Sequence, residues 1–567
     1  MDRSSVQSSN VGHQIKIGFY LLWLLIGLLH AGNAGLFDDE AYYWMYAQYP
    51  SMGYFDHPPM IGVLIKYGYA LFPNEGGLRL FIVLMSTGTV WGIDALLSHR
   101  NDKLFYAMAL SLGLMQVGGI IAVPDIPLMF FVVLFFLAYR SFLKRQGWLE
   151  TITVALTIGG MLYSKYHGVL IVLFTLLSNI QILRKWQTWL AGILALALFT
   201  PHLYWQYTHD FPSFRYHLFE RNASYYKFEY TTEYIFGQFL LAGPLIGWLL
   251  LWAAGSKKPA DQLEKALRWS FFGVYGFFLI NTLKGRVEAN WTAPAFISLF
   301  VLGHQLLNER PKAAKWVYRL FIPSFLLVLA IRVYMMLDID PSPLMPKDEF
   351  HRNPEWAELI RNKANGRSVV FVNTYQRPSQ YMFYTGEKAY DLNNIFYRRN
   401  NFNFWPLEAD VFGKPALVIS HENYGFFTDT IHSPRGYIGS KHFDAYFSFS
   451  GVDIRSPATV TAQGTTVTTT LDLRVPEHLA GHPRLHDFDS AQIVMAIYLR
   501  DKKKATLIQS GSRLRDTKNG KLDIRLELPE SFLQEKNYQI KWGINTAIPG
   551  WPSLNSSDFK LEQAPES

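Results

Sequence analysis

The sequence predicts a polytopic α-helical membrane protein with a folded C-terminal region outside the bilayer. Three observations carry that prediction. Half of the residues are apolar and only 17% are charged, against about 25% charged in a soluble chain. The shortage of charge is confined to the part before Met336, where apolar runs follow one another. Beyond it the composition is ordinary, with a helical pattern followed by period-2 alternation.

The elements follow in chain order. The first run, IKIGFYLLWLLIGLLHAG, has no small-residue cleavage motif and reads as a retained span. Later runs include LRLFIVLMSTGTVWGIDALL, IPLMFFVVLFFLAYRSFL, YIFGQFLLAGPLIGWLLLWAA and WVYRLFIPSFLLVLAIRVYMM. At about 20 residues per crossing, the count is roughly eleven spans. The connections alternate in basic charge. Arg100 and Lys103, Arg140 with Lys144 and Arg145, Arg184 with Lys185, Lys257 with Lys258, and Arg310 with Lys312 all fall on the side of Arg3 and Lys16. The positive-inside rule makes that side cytoplasmic. With an odd number of spans, the C-terminal region lies outside.

The formal charge of +8 therefore reads as topology, and no nucleic-acid partner is expected. There are no cysteines, which excludes disulfides, thiol catalysis and zinc-thiolate sites. The predicted organisation is a membrane domain over 1–336 with outer loops 32–77 and 205–233. An α/β domain follows over 337–440, resting on PEWAELIRNKA as a helix and SVVFVN and PALVIS as buried strands. A β-sandwich is predicted over 441–567, from AYFSFSGVDI, ATVTAQGTTVTTTLDLRV, QIVMAIYL, LDIRLEL and YQIKWGI.

The chemistry-bearing residues gather at one membrane face. GLFDDEAYYWMYAQYP sets Asp38, Asp39 and Glu40 against Tyr42, Tyr43 and Trp44. A helix start explains part of this: Asp38 or Asp39 caps, the other acids favour the positive end, and the aromatics join the interfacial belt. Capping needs only one acid, and more polar groups follow. YFDHPPMIG supplies Asp56 and His57 before two prolines that restrict the backbone around them. Asp125 lies in AVPDIPL, Lys165 and His167 in YSKYHG, and Lys284, Arg286 and Trp291 in LKGRVEANW. Arg215 and Arg221 lie on the second outer loop. Each alone reads as a snorkelling or terminal charge. Together they place acids and bases at one face, where ionisable groups need partners or a function.

FDDEAYYW, YFDHPPMIG, PDIPL, SKYHG, PHLYWQYTHDFPSFRYH and EANW together resemble the bacterial GT-C glycosyltransferases, which include protein mannosyltransferase-like proteins and lipid A aminoarabinose transferases. The resemblance covers roughly residues 15–336. It implies a polyprenyl-phosphate sugar as donor and a lipid or protein hydroxyl as acceptor, within the bacterial inner membrane. It puts Asp39 at the reaction centre as base, with Glu40 beside it and Asp125 as a second catalytic acid. Lys165 would face the donor phosphate, with Lys284, Arg286, Arg215 and Arg221 as further cations. Tyr42, Tyr43, Asp56, His57, His167 and Trp291 would line the pocket. His57 stands where the aminoarabinose enzymes have lysine. A divalent metal at Asp56 and His57 is compatible with the resemblance, and no cofactor is required.

Two other classes fit parts of the pattern. An oligosaccharyltransferase or O-antigen ligase would share the face and the lipid donor, but no WWD-type motif is present. A transporter or a sensor with an outer β-domain would be no enzyme. A transporter places its ionisable groups near mid-membrane on broken helices, and here they cluster at one face.

Overall fold

The structure, a computed structural model, describes residues 3–221, 226–339, 348–421, 426–487, 490–499, 505–533 and 538–564. It divides into two compact units, the first running to His351 and the second from Arg352 onward.

The first unit is a polytopic bundle of apolar helices. Among the described residues five are long and apolar enough to cross a membrane: Gly12–Asn33, Glu75–Leu96, Asp125–Lys144, Trp186–Thr208 and Pro311–Met336. A sixth crossing arises if Asp102–Ser111 and Gly113–Ile120, bent by 73°, form one broken span. This is fewer than the sequence's apolar runs suggest, and the chain shows why. An apolar run is not always one helix. YIFGQFLLAGPLIGWLLLWAA breaks at Gly243 and Pro244 into the helices Phe228–Leu241 and Gly247–Ser256. WTAPAFISLF opens with a 3₁₀ stretch, Ala289–Ala295, so its α-helix begins only at Phe296.

Helix Asp125–Lys144 packs on Glu75–Leu96 and Trp148–Ser164, around a core that includes Val90, Ile93, Leu128, Val132 and Phe136. The turn between Met60–Leu71 and Glu75–Leu96 is tight. Asn74 caps the second helix by accepting from the Gly77 amide at 2.9 Å. A Cβ on Gly77 would lie 1.8 Å from the Phe72 carbonyl oxygen, so only glycine fits. That turn sets the register of Arg79, on which the first outer loop depends.

The second unit holds two sheets. Ala389–Leu392, Ser368–Val372 and Ala416–Ser420 are parallel, and the hairpin Asp429–Ser433 and Gly436–Phe443 extends that sheet antiparallel. PEWAELIRNKA lies in the helix Asn353–Ala364. Among the described residues the second sheet has nine strands, so the end of the chain is β-strand-rich. Alternating QIVMAIYL, LDIRLEL and YQIKWGI appear as Gln492–Leu499, Lys521–Glu527 and Tyr538–Ile544, with Ile493, Met495, Ile524, Ile540 and Trp542 buried. DTKNGK turns with Asn519 and Gly520 at φ 50° and 74°, a conformation that Asn and Gly tolerate best.

One strand expectation is corrected. AYFSFSGVDI is strand only at Asp453–Arg455. The preceding residues wrap the buried Glu408 carboxylate instead. The Ser448 hydroxyl and the Ser450 and Gly451 amides donate to it at 2.6, 2.8 and 2.9 Å. Three donors to one carboxylate outweigh a ladder here.

Candidate active site

The region predicted as the first outer loop is built around Glu40. Helix Asp38–Gln48 begins with all three acids in its first turn, where the helix dipole favours negative charge. Neither Asp38 nor Asp39 is the N-cap, a position held by Phe37. Glu40 makes the terminal bond by accepting from the Phe37 amide at 2.9 Å. It also accepts from Arg79 Nε and Nη2 at 2.7 and 2.5 Å and from the Ala122 amide at 2.7 Å. Glu40 and Arg79 are both fully buried. Arg79 further donates to the Ala31, Ala34 and Gly35 carbonyls at 2.9, 2.6 and 2.7 Å. Glu40 thus ties three segments together, and Asp39, half-buried, is held one residue before it.

The second feature is a buried ion pair. Lys165 Nζ lies 2.8 and 2.9 Å from the two oxygens of Asp125, and both residues are buried. Asp125 opens helix Asp125–Lys144 and Lys165 follows the end of Trp148–Ser164, so each charge matches its helix dipole. Asn290 Nδ2 donates to Asp125 Oδ2 at 3.1 Å.

The charge of Lys165 reaches three histidines, His57, His167 and His217. Burial, and then the nearby Lys165 ammonium, push His57 down to about 3. The same two causes hold His167 well below the usual imidazole range. Both are therefore neutral near pH 7, and the Nδ1 atom of each is buried without a hydrogen-bond partner. His167 packs on Phe278 and Trp291, with ring centroids 4.9 and 5.2 Å apart. Tyr42 donates to Asp56 Oδ2 at 2.9 Å, and the Tyr43 and His57 rings lie 5.7 Å apart.

The region predicted as the second outer loop packs on the region predicted as the first. Ser213 donates to the Tyr54 carbonyl at 2.9 Å, and His217 Nε2 donates to the Asp56 carbonyl at 3.1 Å. The Arg221 guanidinium lies 4.2 Å from the Trp291 ring centroid and 3.6 Å from Glu288. The remaining cations lie further out. Arg215 pairs with Asp210 at 2.8 Å and Arg286 with Glu233 at 3.2 Å, all four half-exposed or more. Lys284 is exposed.

Sequence reading did not single out Arg79, Asn290 or His217. Arg79 carried one available signal, a lone arginine inside the apolar run LRLFIVL. A potential divalent-cation cluster is formed by residues other than Asp56 and His57. Asp338, Asp348 and His351 each bring a ligand atom within 4.8 Å of the others, a donor set suited to such an ion.

Residues 56–205 match the family described as dolichyl-phosphate-mannose-protein mannosyltransferase. The chain is 24% identical over 320 residues to the lipid A galacturonosyltransferase RgtD of Rhizobium johnstonii, covering 53% of this chain and 66% of that protein. It therefore spans just under two thirds of that relative's length. Among solved structures it is similar to ArnT from Cupriavidus metallidurans. With ArnT bound to undecaprenyl phosphate the TM-score is 0.52 at 13% identity, covering 75% of this chain and 97% of that one. With apo ArnT it is 0.54 at 12% identity, covering 75% and 98%. At such identities the likeness is one of fold. The likeness is thus one of sequence to the mannosyltransferase family over residues 56–205 and to RgtD, and one of fold to ArnT.

Proposed function

We propose that the protein is an inverting membrane glycosyltransferase that moves a sugar from a polyprenyl-phosphate donor to an extracytoplasmic acceptor such as lipid A. The observation that carries this reading is the buried Lys165 ammonium. Two of its directions go to Asp125, and its charge helps to keep the neighbouring His57 and His167 neutral. An ammonium has three N–H donors, so one remains for a phosphate oxygen. RgtD, named for lipid A, and ArnT, solved with undecaprenyl phosphate, support the choice of acceptor and donor.

In this reading the acceptor oxygen attacks the anomeric carbon as Asp39 takes its proton. The bond from that carbon to the phosphate oxygen breaks, and Lys165 stabilises the charge left on the phosphate. Glu40 holds the first loop and Asp125 orients Lys165. Arg221 joins from the second loop, and Lys284, Arg286 and Arg215 serve the membrane surface. In this reading shorter and broken helices, such as Trp148–Ser164 and the pair Phe228–Leu241 and Gly247–Ser256, add crossings to the long ones, so that the chain crosses eleven times with its N-terminus cytoplasmic and its C-terminal region periplasmic, which reporter fusions after Lys258 and after His351 test. The 337–440 and 441–567 regions select the acceptor. A sandwich reading of the second is supported by one core that joins Leu471 and Ile524 to Met495 and Trp542. The test of function is incubation of purified protein with a polyprenyl-phosphate sugar and lipid A. No release of polyprenyl phosphate across a panel of pentose, hexose and uronic acid donors would sink the reading.

A further inference from the structure

We propose that His30, Gln116 and Arg332 form a buried site for a phosphate-type anion, separate from the residues assigned to the sugar donor. The inference holds whether or not the chain transfers sugar.

Arg332 lies near the end of helix Pro311–Met336 and is only 8% exposed. Its guanidinium donates to Gln116 Oε1 at 2.7 Å and to the Ile26 carbonyl at 3.2 Å. Among the described residues no carboxylate pairs with it. Gln116 is buried, and with its oxygen given to Arg332 its Nε2 has no partner. His30 is 1% exposed, and neither of its ring nitrogens has a partner. It stands one turn beyond Ile26 on the same helical face, in the field of both Arg332 and Arg79. Arg79 is already matched by Glu40. The cluster therefore carries one uncompensated positive charge and several unfilled donors.

Water could fill the donors but would not balance the charge. A buried guanidinium without a counter-charge carries a large desolvation penalty, and an ionisable group at membrane depth marks a functional site by default. A tetrahedral oxyanion answers both needs, because it supplies negative charge and several acceptors. His30 and Arg332 each lie near the end of a membrane-crossing helix, the depth at which phosphate headgroups meet the hydrocarbon. Apolar Ala31, Val83 and Met335 pack nearby. The anion is thus a lipid headgroup phosphate or free phosphate, and the two are separable.

The experiment measures the unfolding temperature of the full-length protein. In detergent, inorganic phosphate is compared with chloride at matched ionic strength. In nanodiscs, phosphatidylcholine is compared with phosphatidylcholine plus phosphatidylglycerol. A ligand that binds only the folded state raises the midpoint with concentration. The wild type should rise with at least one probe. Phosphate alone identifies the free anion, and phosphatidylglycerol alone the lipid headgroup. Arg332→Gln should lose the rise, and Gln116→Leu should need roughly tenfold more ligand for it. A wild type unmoved by both probes overturns the proposal. So does an equal rise in Arg332→Gln or, should that variant not fold, in Gln116→Leu.

Discussion

Replacing Glu40 with alanine should destabilise the membrane unit more than any neighbouring substitution in the first outer loop. The carboxylate accepts four N–H bonds, two from Arg79 and one each from the Phe37 and Ala122 amides. Both charged side chains have no exposed surface, so solvent screening does not weaken the pair. Removing one partner of a buried pair costs about 3–5 kcal/mol, because the other charge stays buried. The Ala122 amide would also lose its acceptor, adding about 1–3 kcal/mol. Even the lower figures are a large part of a typical folding free energy of about 5–15 kcal/mol. The assay is thermal unfolding in detergent, with Asp39→Asn and Asp38→Asn as neighbours that should melt with the wild type. Glu40→Ala melting alongside them would refute the view that Glu40 anchors the loop.

Three other outcomes follow from the same geometry. Lys165→Ala should lower turnover by about 10²–10³-fold, the scale of losing one charge-stabilising donor. Asp125→Asn combined with it should restore stability but not activity; recovered turnover would remove Lys165 from the chemistry. Arg286→Ala and Arg215→Ala break exposed pairs worth about 0–1 kcal/mol, so unfolding of either variant should match the wild type, and a large drop would contradict the placement. In the second unit, burial pushes Asp391 up to about 7 from 3.8. The folded state therefore holds this proton more tightly. Its stabilising contribution is full below pH 3.8 and is lost as pH rises to about 7, by at most about 1.4 kcal/mol per pH unit. Unfolding of this unit against pH should show that decline, and Asp391→Asn should flatten it; an equally steep decline in the variant would exclude Asp391 as the cause.

The membrane class and several C-terminal elements were legible because they rest on local periodicity. Gln492–Leu499 and Tyr538–Ile544 alternate along the chain, and no distant contact is needed to read them. Span number was less legible, since a break such as Gly243–Pro244 leaves the apolar run intact while ending the helix. Around the candidate site, the chain shows which residues are polar but not which meet. Asp125 and Lys165 stood out separately, yet their pairing spans 40 positions. Glu40 reads as a catalytic acid beside Asp39, while its contacts go to Arg79, which looked like part of a span. AYFSFSGVDI alternates as a strand does, but its serine and backbone donors are drawn to Glu408, a residue no local pattern connects to it.

In the proposed reaction Asp39 takes the acceptor proton during transfer from a lipid phosphate. Asn keeps the size of the side chain and one acceptor oxygen but cannot accept that proton. General-base catalysis contributes about 10²–10⁴-fold. The deciding measurement is the rate at which purified Asp39→Asn, matched to wild type in thermal stability, releases polyprenyl phosphate from a donor the wild type consumes. If Asp39 is the base, the rate falls by at least about 10²-fold with unchanged folding. A variant that transfers sugar at the wild-type rate would contradict it and leave Asp39 as a helix-start acid.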